Sequence, residues 1–412
     1  MTVRYPNREE DLAEEGRFDR IFEHPKAELF ERAAALVRER EQVPRQISRL
    51  LAKPAAARKA AVRRDRAFQT WSLCEGLIYD CHRLVHGDLA AAEEMADLAL
   101  TSAEELDSVY YGTGLVNDLK ARAWAAAGEV LRVTSNLRNA EDALAAAEEW
   151  LGEGTGDALE EAQVLEIKAA LRRDQRRLPE ALRLLDEIVE VYRQYGDFHL
   201  VGRAFVQKGQ VYGALGDLEG AIHWLRKGVA LLDPSRERPF ELAARHGLML
   251  QLYESGRRQE AWFMLKSFRP DFQAHGGPLL NLRFGWLEGK IQHALGRLEE
   301  AEAALLEARA GFVARGMGFD AALVSLDLAG LYAGQGRAAE MRRLTEEMLP
   351  IFSARDLHRE AIAALIVFQQ AVRMEEVSTD LLQEIGGYLQ QARCDHKLRF
   401  EPPPQVLTPR KR

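Results

Sequence analysis

Hydrophobic positions along the chain follow a helical period through most of its length. Apolar residues recur every three to four positions, which places their side chains on one face of an α-helix. Ala, Leu, Glu and Arg dominate the composition and β-branched residues are sparse, a balance that favours helix over strand. The pattern therefore predicts an all-α protein of many helices joined by short turns.

The turns recur at a nearly fixed distance. Glycines spaced by 40 residues stand at Gly216, Gly256, Gly296 and Gly336. Five residues after each glycine come Ala221, Ala261, Ala301 and Met341. One period upstream, Ala181 follows the predicted turn 175–179, and Ala140 lies 41 residues earlier. A repeat of this length predicts stacked helix pairs rather than separate globular domains.

Small residues predict where the two helices of each pair pack closely. Seven residues before the turn, the first helix carries Gly128, Ala169, Gly209, Gly289 and Ala329. Four residues after the small residue that follows the turn, the second helix carries Leu144, Leu185, Leu225, Leu265 and Leu305. A small residue lets two helix backbones approach each other. These leucines are therefore predicted to form a continuous core against the small residues.

At these residues the sequence resembles the tetratricopeptide repeat family. The best match comprises Trp124, Gly128, Leu131, Ala140, Leu144 and Ala147. A second comprises Phe205, Gly209, Tyr212, Gly216, Ala221, Leu225, Gly228 and Pro234. The usual period of the family is about 34 residues, so this chain is similar to its longer-helix members in kinesin light chain, LGN-type spindle adaptors and bacterial MalT-like or peptide-sensing regulators. The resemblance implies a right-handed superhelical solenoid of antiparallel helix pairs that binds proteins or peptides as an adaptor or sensor.

The pattern divides the chain into four predicted regions. They are an N-terminal helical region with a basic segment (1–66), the repeat array (67–352), capping helices (353–398) and a disordered tail (399–412). The terminal repeats depart from the pattern, since Asp80 occupies the small position of the first, and Met341 and Thr345 replace small and leucine positions of the last. In the N-terminal region, the periodicity predicts a helix over 26–41, and Pro44 and Pro54 are expected to break the chain after residue 41 into short pieces.

The charge of the chain is unevenly distributed. The 412 residues carry a net charge of −8, which by itself indicates neither a nucleic-acid nor a membrane partner. Residues 42–66 hold eight Lys or Arg against one Asp, a local charge of +7 that leaves −15 for the remainder. This basic segment supports an alternative function, nucleic-acid contact by phosphate neutralisation. Seven of these eight residues are the candidate phosphate contacts: Arg45, Arg49, Lys53, Arg58, Lys59, Arg63 and Arg64. Alternatively, these charges pair with the acidic array.

Catalytic and metal-binding patterns are weak. No arrangement of nucleophile, base and oxyanion donors is recognisable, so neither an enzyme nor a cofactor is predicted. His82 and His86 lie one helical turn apart beside Cys81, but a second ligand segment is missing, which favours a buried cysteine and a surface histidine pair. Three cysteines, no apolar leader and no long apolar run predict a cytoplasmic, bacterial-type protein.

The strongest candidate for a binding site is the concave face that the first helices line in this repeat family. Its exposed positions lie six and three residues before the small residue, and one and four after it. Matching the turns predicts a groove lined by Arg173, Arg203, Gln210, His246, Tyr253, Arg283, Trp286, Lys290 and His293. In an earlier repeat the matching positions include Arg122, Glu129 and Arg132. Guanidinium groups bind carboxylates bidentately and aromatic rings supply anchoring area, so the groove is predicted to hold an extended acidic or C-terminal peptide. A solvated face with a partly buried tryptophan is the alternative.

Overall fold

The computed structural model describes residues 31, 34–85, 87–353, 364–366, 368–369, 371–372, 377–392 and 399–400. Helices account for the regular structure of these residues, which include no strand, so the predicted all-α fold is confirmed. Helix α1 comprises residues 34–51. It is followed by α2 (Ala55–Arg64), α3 (Trp71–Leu84), α4 (Leu89–Glu104), α5 (Ser108–Tyr111), α6 (Thr113–Val133), α7 (Leu137–Gly152), α8 (Ala158–Asp174), α9 (Leu178–Gln194), α10 (Phe198–Leu215), α11 (Leu218–Leu231), α12 (Pro234–Glu254), α13 (Arg258–His275), α14 (Gly277–Ala294), α15 (Leu298–Ala314), α16 (Gly318–Gly334) and α17 (Ala338–Ser353). A C-terminal helix spans Thr379–Ala392.

Several predicted features lie outside the described residues. They are the start of the predicted helix over 26–41, His86, residues 354–363 of the predicted capping region, Cys394, and 401–412 of the predicted tail. The described chain divides into two compact units, unit 1 (Met1–Leu171) and unit 2 (Arg172–Arg412), and α8 runs across the division.

In unit 1 the N-terminal helix packs on the first repeat. A Cβ atom on Gly76 of α3 would lie 2.5 Å from Val43 Cγ1 of α1, so Gly76 is the site of closest approach to that helix. Asp80, at the position expected to be small, instead pairs with Arg83 at 3.1 Å. The expected break at Pro44 is wrong because α1 continues through it. Packing of α1 against α3 compensates for the loss of the backbone hydrogen bond that Pro44 cannot donate.

In unit 2 the predicted close approaches between paired helices are confirmed. A Cβ atom on Gly209 would lie 2.6 Å from Leu225 Cγ, and one on Gly289 would lie 2.7 Å from Leu305 Cγ. Both leucines are buried. Since no side chain fits between α10 and α11 or between α14 and α15 at these points, each pair requires glycine there.

The predicted series of turns about 40 residues apart, which we call the turn ladder, is also confirmed, and it includes turns that lack glycine. All four glycines of the ladder adopt positive φ, between 68° and 82°. The same register position holds Arg176 with φ of 63° in the predicted turn 175–179, and Ser135 with φ of 61°. Both therefore adopt the left-handed conformation that favours glycine.

Helix α12 is kinked near its start. Glu237 has φ of −145° and ψ of 66°, and Pro239 follows two residues later. Proline cannot donate a backbone hydrogen bond, and its ring collides with the carbonyl group four residues earlier. The first turn of α12 is therefore displaced from the rest of the helix, and Glu237 lies at the displacement.

Candidate functional site

The residues predicted to line the groove all lie in unit 2. Arg173 lies in the last turn of α8, and the others lie on α10, α12 and α14, the first helices of successive pairs. Gln210 is exposed, and the others are half-buried. Half-burial is typical of side chains that line a binding surface. Whether a ligand can bind their polar groups depends on which of these groups already have partners within the protein.

Two of the arginines are held by neighbouring side chains. Arg173 Nη1 donates to Gln210 Oε1. Arg203 Nη1 donates to both carboxylate oxygens of Glu237, at 2.8 and 3.0 Å, and its guanidinium lies 5.3 Å from the centre of the Phe240 ring. A ligand carboxylate would have to compete with Gln210 and Glu237 for these cations.

Glu237, which the repeat pattern does not select, links Arg203 to a buried histidine. His199 Nδ1 accepts a hydrogen bond from the Asp233 backbone N–H at 3.0 Å. The proton therefore resides on Nε2, which donates to Glu237 Oε2 at 3.3 Å. Because the α12 kink carries Glu237 to both donors, this carboxylate is fixed within the wall. In the sequence, Pro239 near the start of α12 is the residue that indicates the kink at Glu237.

His246 connects two helices rather than presenting a charge. Its Nε2 lies 3.2 Å from the backbone oxygen of Arg283, joining α12 to α14. Burial between the helices lowers the pKa of His246 from its ordinary value to about 4. The imidazole is therefore neutral at pH 7, and it does not supply the positive charge expected from the sequence.

Three predicted groove residues meet in one place. The Lys290 ammonium lies 5.3 Å from the centre of the Tyr253 ring and 5.8 Å from that of Trp286. The Trp286 ring packs edge-on against Phe312, with centroids 5.9 Å apart. Aromatic faces attract cations at these separations. In the described chain no carboxylate oxygen lies within 4 Å of the Lys290 ammonium.

Asp327 of α16 completes this group, although the pattern did not select it. Its Oδ2 accepts a hydrogen bond from Trp286 Nε1 at 2.6 Å. Burial raises the pKa of Asp327, while Lys290 and the indole N–H act in the opposite direction. We call Tyr253, Trp286, Lys290 and Asp327 the aromatic–lysine cluster. Asp327 is the single charged residue of 321–336, and an isolated acid in an apolar helix is a recognisable indication of a specific role.

The basic segment forms many contacts within unit 1. Arg49 pairs with Asp65 at 3.2 Å, Arg58 with Glu94 at 2.6 Å and Lys59 with Asp97 at 2.8 Å, while Arg63 lies 3.8 to 3.9 Å from Glu104 and Glu105. Across the described residues, Arg45, Lys53 and Arg64 form no such pair. Four of the seven candidate cations therefore have acidic neighbours, and three remain available to an anion.

Arg58 also terminates α1. Its Nη2 donates to the Leu51 carbonyl at 2.7 Å and its Nε to the Lys53 carbonyl at 2.9 Å. The last carbonyl groups of a helix have no partners within the helix. Arg58 supplies those partners and holds α2 against α4 through Glu94.

The cysteines near the predicted histidine pair are buried. Cys74 Sγ lies 3.4 Å from the Ala99 backbone oxygen, and burial raises the pKa values of Cys74 and Cys81 to about 12. These thiols are protonated at neutral pH and are poor ligands and nucleophiles. Within the described residues no three His, Cys, Asp or Glu side chains converge on a possible metal position. None of the described helices combines the length and apolar character needed to cross a bilayer.

Comparisons with solved structures identify proteins with a similar fold. A crystal structure of a Rap protein complexed with competence and sporulation factor matches with a TM-score of 0.56 at 11% identity, over 78% of this chain and 87% of that chain. A signal transduction ATPase (STAND) protein with a tetratricopeptide repeat sensor from Pyrococcus horikoshii matches with a TM-score of 0.59 at 15% identity. That match covers 86% of this chain and 52% of the other.

Sequence comparisons identify the repeat. The family model described as "Tetratricopeptide repeat" matches residues 160–233, which include α9, α10 and α11. A comparison with the curated proteins found no match. The predicted tetratricopeptide repeat is thus confirmed for residues 160–233, and the described chain has a fold similar to those of the Rap and STAND proteins.

Proposed function

We propose that unit 2 binds an acidic, extended segment of a partner protein through the face that carries the aromatic–lysine cluster. The observation that carries this proposal is the state of Lys290. Its ammonium is flanked by the Tyr253 and Trp286 rings, and no carboxylate oxygen of the described chain lies within 4 Å of it. A cation desolvated by aromatic walls binds a carboxylate more strongly than one in open water.

The remaining predicted groove residues have different roles in this proposal. Arg173 and Arg203 shape the wall through Gln210 and Glu237, and His246 joins two helices. Arg283 and His293 lie one or two helical turns from Lys290 on the same face of α14. The partner's acidic group therefore binds at Lys290, and apolar groups beside it pack on Tyr253 and Trp286.

Asp327 and Glu254 restrict which acidic segments fit. Burial raises the pKa of both carboxyl groups, and Lys290 opposes that rise in each case. A second ligand carboxylate placed close to the first would meet these acids. We therefore expect selection of one acidic group with apolar neighbours, or of a C-terminal carboxylate, rather than of a polyacidic run.

The repeat fold supports a binding role without identifying the partner. Stacked helix pairs create extended surfaces suited to protein segments, and the similar Rap protein was crystallised with competence and sporulation factor. An adaptor or sensor role in the cytoplasm of a bacterium follows as part of the proposal. Nucleic-acid contact by the basic segment stays an alternative, supported by the exposed cations Arg45 and Arg64 and by the half-buried Lys53.

A selection from a random 12-residue peptide library tests the proposal. Peptides selected on the whole protein should be enriched in one Asp or Glu, or a free C-terminus, beside an apolar residue. Lys290→Glu should weaken binding of the selected peptides at least about 100-fold, since an attractive contact at a half-buried charge becomes a repulsion. The matched control is Lys266→Glu, which changes a lysine that lies beside Trp262 on α13. Equal weakening by both variants, or none by Lys290→Glu, would contradict the proposal.

A further inference from the structure

A concavity lies in unit 1, where the proposed function uses no residue. It has a volume of about 190 Å³ and lies between the end of α4, the middle of α6 and the end of α7. We call it the tryptophan slot, and it is lined by Leu100, Ala103, Glu104, Lys120, Trp124 and Trp150.

The slot has apolar walls and a cation. Lys120 Nζ lies 4.1 Å from the centre of the Trp150 ring. In the part of the chain that the structure describes, no carboxylate oxygen lies within 4 Å of this ammonium. The one acidic residue of the lining, Glu104, lies 3.9 Å from Arg63, which partly offsets its charge.

The hydrogen-bonding groups of the slot are mainly donors. Lys120 has three N–H donors, and each tryptophan has one. Neither indole N–H, of Trp124 or of Trp150, donates to another described residue. Apolar walls with unused donors complement a ligand that has a ring and an anionic oxygen group.

The volume limits the size of that ligand. An engineered apolar cavity of about 150 Å³ binds benzene, so about 190 Å³ accommodates one six-membered ring with a short substituent. We propose that the tryptophan slot binds a small aromatic carboxylate, with its ring between the two tryptophans and its carboxylate at Lys120. This site is independent of the aromatic–lysine cluster, so either proposal can fail alone.

Ligand-observed NMR with 3-phenylpropionate tests the slot in the full chain. The acid should bind with a dissociation constant of about 1 mM, as expected for a ligand of this size. The neutral 3-phenylpropionamide, which has the same shape, should bind at least about tenfold more weakly. Absence of binding by the acid, or equal binding of acid and amide, would overturn the proposal.

Variants locate the binding in the slot. Lys120→Met retains the aliphatic stem and should weaken the acid at least about tenfold, while the matched control Lys227→Met, which removes a lysine beside Trp224, should not. Glu104→Gln should strengthen binding about twofold because a like charge is removed, whereas general damage to the slot could only weaken it. Trp150→Leu provides a second test of loss, with circular dichroism verifying the fold of each variant. Undiminished binding by Lys120→Met or Trp150→Leu would place the ligand elsewhere and refute the assignment.

Discussion

Two repeats with the same register carry different side chains at the positions assigned to the groove. Around Gly128 in unit 1 these positions hold Arg122, Ala125, Glu129 and Arg132. Around Gly289 in unit 2 they hold Arg283, Trp286, Lys290 and His293. Both glycines pack against a leucine of the paired helix, so the backbones match where the side chains differ.

In unit 1 these positions hold charges that are already paired. Arg122 Nη1 lies 3.4 Å from Glu75 Oε1, and its Nε lies 3.7 Å from Glu160 Oε2, so it bridges α3 and α8. Arg132 donates to both carboxylate oxygens of Glu129, at 2.7 and 2.8 Å. The Arg122 contacts join helices and the Glu129–Arg132 pair lies within α6, so these charges have partners and offer little to a ligand.

In unit 2 the corresponding surface contains Lys290 between two aromatic rings. The contrast teaches that a repeat fold supplies positions, while the pairing of charges decides whether a position stabilises the array or is available for binding. Substitutions that separate stability from binding therefore test the contrast directly.

The largest expected effect on stability is in unit 1. Arg122→Met leaves Glu160 without a cation, while Glu75 keeps its ion pair with Arg40, and burial already raises the pKa of Glu160. We expect a loss of about 2–3 kcal/mol in the local stability of α3, α6 and α8. Lys290→Met, in contrast, should lower the stability of α14 by less than about 1 kcal/mol.

Hydrogen exchange followed by mass spectrometry measures both effects, because it resolves peptides from each helix in the same sample. If Lys290→Met destabilised α14 as much as Arg122→Met destabilises α6, the aromatic–lysine cluster would be a structural element like its counterpart. The contrast between the units would then be lost.

Acidification should affect unit 2 through His246, whose counterpart in unit 1 is Ala125. The folded-state pKa of His246 is about 4, below the unfolded value of about 6.5. The unfolded chain therefore binds a proton first, and the stability that this group contributes is present above about pH 6.5 and lost as pH falls towards 4. We expect a loss of about 1–2 kcal/mol across that range, allowing for the half-buried side chain.

The variant His246→Gln retains a donor for the Arg283 carbonyl but does not titrate. The difference in urea-unfolding free energy between wild type and variant should shift in favour of the variant as pH falls from 7.5 to 4.5. A constant difference across this range would mean that His246 titrates normally and that α12 and α14 do not bury it.

The basic segment allows a smaller test of the same distinction between paired and available charge. Arg58→Gln removes the acidic contact and the two carbonyl contacts that end α1, so we expect a loss of about 1–2 kcal/mol in unit 1. Arg45→Gln with Arg64→Gln should leave stability unchanged because both side chains are exposed.

Gel retardation of single-stranded and duplex DNA at low salt then tests the nucleic-acid alternative. If the segment binds phosphates, the Arg45 and Arg64 double variant should have a shallower slope of log binding constant against log salt concentration. The decrease should correspond to the loss of about two phosphate contacts. No retardation of either nucleic acid by the wild type would remove the alternative altogether.

The helical architecture could be predicted because its determinants are local and repeated. A left-handed turn needs a residue that tolerates positive φ, and a close crossing needs a small one, so Gly209 and Gly216 recur in register with their counterparts. The ladder even located the turn at Arg176, where glycine is absent. Pro44 misled the prediction because tertiary packing against α3 outweighs its local effect.

The chemistry of the candidate site could be predicted only in part. The register selected Tyr253, Trp286 and Lys290, which lie together, but it treated every basic residue as available. Partners such as Glu237 come from another helix, and a helical period carries no information about side chains across a helix interface. Asp327 was missed for the same reason, because its role depends on contact with Trp286 of α14.

The smallest expected effects concern the two turns of the turn ladder that have Ser135 and Arg176 in place of glycine, one in each unit. Ser135→Gly and Arg176→Gly each relieve a positive φ that costs a side chain about 1 kcal/mol, while glycine loses more backbone entropy on folding. Arg176→Gly also removes the hydrogen bond of 3.4 Å that Arg176 Nη1 donates to the Ala214 carbonyl. We therefore expect Ser135→Gly to stabilise unit 1 by about 0.5 kcal/mol and Arg176→Gly to be nearly neutral in unit 2, as measured by exchange protection of α7 and α9. Destabilisation by Ser135→Gly would show that its left-handed turn is not strained, and the turn ladder would then depend on the flanking helices more than on the turn residue.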